Sequence, residues 1–461
     1  MKLWQKNNQT MDSFIETFET KGDLVLDQKL TKYDVYGSLA QIKMLKKIGI
    51  VTEKEESTAI TGLLEVLELH KKGNFTLEHG DEDIHTKIEN FLTEKYGEVG
   101  KKIHTGRSRN DQVLTDLRLY TKENMLSIWE ELLELIHSFY AFSKQYEFVP
   151  MPGYTHMQKA MPSSVGMWGG SFTESLLDSL VQLKTAYELN DKSPLGSAAG
   201  YGAPLQLDRE YTAKLLGFGS VQINSLYCQN SRGKIESLVL AALCTILQDI
   251  NKFATDVLLF TTAEFNYFSV SNDLCSGSSI MPQKVNLDLA ELLRSKVHSV
   301  LGNYMQLIGM TSNLPSGYNR DFQDTKKPLI ESLEMTLDCI RVANMLINKL
   351  SPQEDKMKQA LTPEIYATHN VLQLVGQGIP FRKAYQTIKE KINETNTHNP
   401  EKTIKESQHL GGTGNLFLKH YFVLLKQEKE IYNKEMKKFT AAIISLLTDT
   451  QNETQKLAIH Y

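Results

Sequence analysis

The sequence is short of cysteine. Four are present, Cys228, Cys244, Cys275 and Cys339, scattered through 461 residues without a CxxC pair. That spacing argues against a structural zinc site and a disulfide framework, and it fits a reduced cytoplasm. Proline is scarce as well: none precedes Pro150, none falls between Pro204 and Pro282, and the twelve present cluster where helices should stop. Few segments alternate apolar and polar residues as strands do, and there is no internal repeat or low-complexity tract. Uninterrupted apolar stretches stay below about 18 residues, so no membrane span is expected. The first residues hold Trp4, Lys6 and Glu16 without a long apolar run and do not read as a signal peptide. Charge of one sign is not in excess either. A net charge of −4 leaves no electrostatic case for nucleic acid, so an anionic ligand must be held by local cations.

What is there is helical. Apolar residues make up 41% of the chain, enough for a sizeable core, and 461 residues predict two or three domains. Ile235, Val239, Ala242, Ile246, Ile250, Phe253, Val257 and Phe260 recur at steps of three or four, and so do Leu289, Leu292, Leu293, Val297, Val300, Leu301, Tyr304 and Ile308. The first of these rods adds Leu238, Leu240, Leu243 and Leu247 and is apolar on more than one face, so it must be buried. One chain has too few long helices to cover both rods, which predicts a bundle completed by other subunits. Further helices are expected over 34–48, 53–70 after the cap Thr52, 111–146, 163–189 and 329–349. A minor strand is expected over 75–78. Residues 1–110 read as a unit of short helices, 111–361 as a bundle of long ones, and 362–461 as a small unit of shorter helices. The class is all-α.

Between the two rods lies Cys275-Ser-Gly-Ser-Ser-Ile-Met-Pro-Gln-Lys-Val-Asn286. Its glycine, serines and proline stop both helices. A small-residue loop carrying Ser278, Lys284 and Asn286 between two rods suits an active-site lid. An ordinary helix–loop–helix turn is the competing reading. Lys284 and Asn286 weigh against it, because they stand where a helix should begin, beside donors that favour anions. Glu291 follows one to two turns on.

Other polar strings punctuate the chain. His104-Thr-Gly-Arg-Ser-Arg-Asn-Asp-Gln112 puts Ser108, Arg109 and Asn110 before a long helix. Arginine forks bind carboxylate or phosphate bidentately, although a well-capped helix start has the same composition. Pro152-Gly-Tyr-Thr-His-Met-Gln158 offers Thr155 and His156 at a helix junction, for proton donation and carboxylate binding or for nothing more than a turn. Tyr318-Asn-Arg-Asp-Phe-Gln-Asp-Thr-Lys326 alone reads as a solvated loop, and His85, beside acids, as a surface or capping residue.

Several of these strings carry a resemblance. Gly277-Ser-Ser-Ile-Met-Pro-Gln-Lys-Val-Asn286 resembles the signature loop of the fumarase/aspartase superfamily, GSSxMPxKxN. The string at 104–112 resembles HTGRSRNDQ of the argininosuccinate lyase family within it, 152–158 its PGYTHxQ, 194–197 its PLGS and 318–326 its YNKDLQEDK. The likeness runs from Asp27 to Arg382. It implies a three-part all-α fold, a homotetramer whose sites take strings from three subunits, and elimination of fumarate from argininosuccinate without metal or organic cofactor. His156 and Ser278 are implied as the proton-transfer pair, in an order the sequence leaves open. Lys284 and Asn286 are implied to stabilise the intermediate, and Glu291 to orient His156. Tyr318, Gln323 and Lys326 are implied to bind substrate along with the arginine string. Departures are Asp23 in place of a substrate-contacting serine, Gln41 and Tyr385 in place of histidines, and Val285 and Leu287 in place of lysine and proline. A sister lyase acting on aspartate or adenylosuccinate is the nearest rival, and a catalytically silent structural homologue is the other.

Overall fold

A computed structural model of the chain describes residues 12–78, 81–391 and 398–458. The N-terminal part packs α1 (Ser13–Gln28), α2 (Thr31–Lys47), α3 (Glu53–Lys71), α4 (Ile84–Tyr96) and the one-turn α5 (Val99–Lys102). Local chemistry sets several starts. Thr52 and Glu55 form a reciprocal capping box at α3, and Asp83 caps α4. No strand forms over 75–78. The side chain of Gln28 takes its place, donating to the Phe75 carbonyl at 3.0 Å and accepting the Leu77 amide at 2.7 Å.

Three long helices make the centre: α6 (Arg109–Gln145), α7 (Val165–Asn190) and α10 (Lys234–Phe260). Between α6 and α7 the chain forms an antiparallel hairpin, β1 (Pro150–Thr155) with β2 (Gln158–Ser164). Short elements follow α7: β3 (Lys192–Ser193), α8 (Arg209–Leu215), β4 (Ser220–Val221), which pairs with β3, and α9 (Ser225–Asn230). After α10 come β5 (Phe268–Val270), β6 (Ser276–Gly277), β7 (Val285–Asn286), α11 (Asp288–Thr311), α12 (Lys326–Asn348) and β8 (Leu350–Pro352). Helices α10, α11 and α12 pack on one another, and α6 packs on α7 and α12. Their apolar stripes meet in one core, where Phe139 stacks on Phe172 at 5.2 Å and meets Phe253 edge-on at 4.9 Å.

The short helix α13 (Glu354–Ala360) closes the 111–361 stretch, and the short helices α14 (Ala367–Gly376), α15 (Phe381–Glu390) and α16 (Pro400–Glu406) follow in the C-terminal part. It then departs from expectation. Helix α17 (Leu418–Ala458) is a single rod of 41 residues that returns to pack on α6, α3 and α8. Its buried stripe is narrow: Leu418, Leu425, Tyr432, Phe439 and Leu446 recur every seven residues.

Helix α10 is long and apolar enough to cross a membrane by length and composition alone, but over half of its most apolar window lies inside the fold. Leu240, Leu243 and Leu247 are buried within the single chain, while Leu238 is 39% exposed. Helix α11 is the more open rod. Ala290, Leu293, Val297, Val300 and Leu307 face the core, whereas Leu292, Leu301, Met305 and Ile308 face outward.

One buried ion pair ties distant parts of this core together. Lys122, inside α6, pairs with Asp191 at 2.5 Å and donates to the Gly217 carbonyl at 2.7 Å. The rings of Tyr187, Phe218 and Phe439 surround its ammonium at 5.2–5.7 Å. Removing one member of such a pair leaves a desolvated charge, which costs about 3–5 kcal/mol. Lys122→Met should therefore lower the unfolding free energy by that amount in urea titrations, and adding Asp191→Asn should recover part of it. A loss below about 1 kcal/mol for the single variant would show that the pair does not tie α6 to the end of α7.

Candidate functional site

The site begins at the N-terminus of α6. Ser108 is its cap: the hydroxyl accepts the Asn110 amide at 3.2 Å, and its own amide donates to the Asp111 carboxylate at 2.8 Å. The other Asp111 oxygen accepts the amides of Gly196 and Ala198, both at 2.9 Å. The small-residue loop after α7 is thereby tied to the helix start. Gln41 donates to the Thr105 carbonyl at 2.8 Å, so this departure from the family pattern still fixes the 104–112 string.

Arg109 is held at three points. Its guanidinium meets Asp83 at 3.0 Å, the Thr86 hydroxyl at 3.0 Å and the Gln112 side chain at 2.9 Å. Gln112 in turn donates to Asp34 at 2.6 Å. Behind it His85, neither a surface nor a capping residue, is buried with Asp34 at 3.3 Å and Asp116 at 3.5 Å. Burial alone would raise Asp34, but His85, the nearby Arg107 and the Gln112 bond hold it at about 2. Burial, reinforced by Asp34, pushes Asp116 well up. Ligand-type atoms of Asp34, His85 and Asp116 lie within 4.8 Å of one another. Arg107 already supplies charge to both acids, so their proximity is read as a charge network.

In front of this wall is a cavity of about 110 Å³. Five residues named from sequence line it together: Arg109, Asn110, Tyr318, Gln323 and Lys326. Sequence reasoning gave no role there to Asp27, His85 and Arg232, which also line it, and it noted Asp23 only as a departure. Lys326, almost wholly buried, pairs with Asp23 at 2.5 Å and Asp27 at 2.7 Å. Burial pushes Asp23 up to about 6 against the pull of Lys326. Gln323 donates to the Glu19 carbonyl at 2.8 Å. The Arg232 guanidinium lies over Tyr318 at 5.1 Å and Phe322 at 5.5 Å.

The remaining named residues lie elsewhere. Thr155 and His156 are exposed at the tip of the β1–β2 hairpin, where His156 and Met157 hold φ of 51° and 59°. Two consecutive left-handed residues make the tight turn that matches strand twist. Neither is glycine or asparagine, so the turn is strained, and such strain gathers at functional sites. The lid is a second, smaller hairpin in which β6 pairs with β7. At its tip the Ser278 hydroxyl accepts the amides of Ile280 at 3.3 Å and Met281 at 3.0 Å. Asn286 donates to the Gly277 carbonyl at 3.3 Å, and Lys284 is exposed. Glu291 lies exposed in the first turn of α11, and among the described residues no hydrogen bond or ion pair joins it to His156. Thr155, His156, Ser278, Lys284, Asn286, Glu291 and Ser108 are not among the residues lining the cavity of the same chain.

A family model described as a lyase matches residues 5–302. An argininosuccinate lyase of Thermotoga neapolitana is 43% identical over 390 residues, 85% of this chain and 98% of its own. That of Phocaeicola vulgatus is 39% identical over 432 residues, 94% of this chain and 96% of its own. That of Parabacteroides distasonis is 36% identical across 100% of this chain and 99% of its own. Among solved structures, an EDDS lyase in complex with formate superposes with a TM-score of 0.83 at 20% identity, over 97% of each chain. A class II fumarase from Schistosoma mansoni does so with 0.70 at 16%, over 85% of this chain and 94% of its own. At these identities the structural likeness concerns the fold, which is the all-α fumarase/aspartase type.

Asp111 is the knot of the helix start, and its removal leaves three backbone donors without an acceptor. At about 1–3 kcal/mol for an orphaned buried donor, Asp111→Ala should lower stability by roughly 3 kcal/mol and expose the 194–203 loop to limited proteolysis. Unchanged urea midpoint and protease resistance would mean that those amides find other acceptors.

Proposed function

The chain belongs to the argininosuccinate lyase family, and from that premise we infer that it splits argininosuccinate reversibly into L-arginine and fumarate, in arginine biosynthesis. The observation that carries the reading is the convergence of Arg109 and Asn110 from one family string with Tyr318, Gln323 and Lys326 from another on a single cavity.

The hard step removes a proton from carbon beside a carboxylate, forming an aci-carboxylate with two negative charges on one group. The C–N bond then breaks, its electron pair leaves with the guanidino nitrogen, and that nitrogen takes a proton. Ser278 and His156 are the proton-transfer pair. A free serine is a poor base. The two amides pointing at the Ser278 oxygen favour its ionised form and so give a physical route to activation. Lys284 and Asn286 supply charge and hydrogen bonds to the aci-carboxylate, and Glu291 orients His156. The cavity around Arg109 receives the end of the substrate remote from the reaction, and Ser108 and Thr155 complete substrate binding. No metal or organic cofactor enters these steps.

The outward apolar residues of α11 support assembly with further copies. We assign a homotetramer in which the 110, 156 and 278 strings of one site come from three subunits, with no nucleic-acid or membrane partner, acting in the cytoplasm. Within each subunit we keep the division at 1–110, 111–361 and 362–461.

Fumarate absorbance should rise on adding argininosuccinate and stay flat with aspartate. Faster turnover of adenylosuccinate would transfer the chain to the sister activity. Ser278→Ala should lower turnover at least about 10²-fold while substrate still binds, and near-normal turnover would reduce Ser278 to a loop residue.

Assembly has its own test. His156→Asn and Ser278→Ala chains, each inactive, are denatured and refolded together in equal amounts. Random mixing gives about a quarter of sites both intact segments, so activity should approach about a quarter of wild type. No recovery in tetramers shown by mass spectrometry to be mixed would mean that one chain supplies both segments.

A further inference from the structure

His156 sits on a turn with little to hold it. The turn is made of two consecutive left-handed residues, His156 and Met157 at φ of 51° and 59°, and such a conformation lasts only where its surroundings impose it. The strand ladder does not impose it alone, because the pairing of β1 with β2 slips between Gly153 and Tyr154. Helices α13 and α16 pack on the strands, yet residues 155–159 are all exposed, so packing stops short of the tip.

A hydrogen bond spans the gap. The hydroxyls of Tyr154 and Tyr267 meet at 2.7 Å, and among the described residues this is the one hydrogen bond by which a side chain of 153–161 reaches another part of the chain. Tyr267 is a well-fixed post. It is only 4% exposed, its carbonyl accepts the Gln353 amide at 2.7 Å, and its ring meets Phe260 at 5.8 Å and Phe265 at 5.3 Å. The Tyr154 ring lies against the same two phenylalanines, at 6.4 and 5.8 Å. A phenylalanine at 267 would pack as well, so what the buried hydroxyl adds is the bond to Tyr154.

We propose that Tyr267 is a positioning residue for His156: bonded to Tyr154, two residues before the histidine, it fixes the direction in which the strained tip presents the imidazole. The proposal rests on the function inferred above, in which His156 transfers a proton. Tyr154, Tyr267 and His156 belong to one chain, so the anchor exists whichever subunit's cavity His156 serves. Proton transfer needs heavy atoms within about 2.6–3.2 Å of each other, and a misplacement of about 1 Å costs on the order of 10²-fold in rate. A tip released at this one bond samples such displacements while the strands beneath it stay packed.

The test is the steady-state kinetics of wild type, Tyr154→Phe, Tyr267→Phe and the double variant with argininosuccinate. Each single variant should lower kcat about 10-fold and leave KM within about 3-fold, because what is lost is alignment during the chemical step. The double variant should also lose about 10-fold and not about 100-fold, since both substitutions break the same bond. Losses that multiply, an unchanged kcat, or a rise in KM alone would each overturn the proposal.

Hydrogen–deuterium exchange reads the anchor without the reaction. Amides of 154–158 should exchange at least about 3-fold faster in Tyr267→Phe, while those of α10 and α13 keep their wild-type rates. Unchanged exchange at the tip would overturn the proposal. So would equal acceleration in α10, because Tyr267 would then only hold the core together. Faster exchange confined to the tip of a protein that releases no fumarate would remove the inferred reaction and keep Tyr267 as the anchor of the turn.

Discussion

Charge brought out of water must find a partner, and that constraint shapes the region where α6 begins. An unpaired buried ion costs several kcal/mol. Here Arg107, Asp111, Asp116, His85, Asp34 and Lys326 are all buried within a few turns of one another. No single segment supplies their partners. Asp34 comes from α2, His85 from α4, Asp116 from α6, and Lys326 from α12 with Asp23 and Asp27 from α1. Satisfying these charges forces five helices to converge on one cavity, so the binding wall and the stability of the N-terminal part share the same cause.

The chemistry has a different mechanical basis. The cavity is backed by buried charged side chains such as Asp27, His85, Arg232 and Lys326, while the His156 turn and the Ser278 tip are hairpins with exposed residues. Each is shaped before any substrate arrives. The His156 turn holds two side chains at left-handed φ, and the serine oxygen already accepts two amides. Such preparation is what an elimination through a doubly charged intermediate needs, because the groups that stabilise it cannot reorganise during the step. On the proposed reading, one chain carries a binding wall and two outlying hairpins that supply the chemistry, joined through long helices whose apolar residues in part face outward.

Much of this was legible in the sequence. The steps of three and four at Val239, Ile246, Ile250 and Val257 marked a buried rod, and those residues are buried. Thr52 marked a helix start, and it caps one. The family strings named residues that share a cavity. Other features were hidden for identifiable reasons. Helix α17 buries one residue in seven along Leu418, Leu425 and Tyr432, too thin a stripe to stand out among its charged neighbours. The turn at His156 lacks the glycine or asparagine that signals a two-residue hairpin loop. The strand expected over 75–78 yields to Gln28, a side chain some 50 residues away. The partners of His85 lie 51 residues before it and 31 after it, so no local pattern could separate a buried network from a surface histidine. For the same reason the sequence showed Lys326 as a cation free for substrate, not as one covered by two carboxylates.

The central claim is that one site is completed by three chains: a cavity from one, the His156 turn from another and the Ser278 lid from a third. The most direct test is the crystal structure of the Ser278→Ala protein with argininosuccinate bound. The account predicts substrate seated in the cavity lined by Arg109, Tyr318 and Gln323 of one subunit, with His156 and position 278 of two other subunits against it. A substrate enclosed by the 110, 156 and 278 segments of a single chain would contradict it.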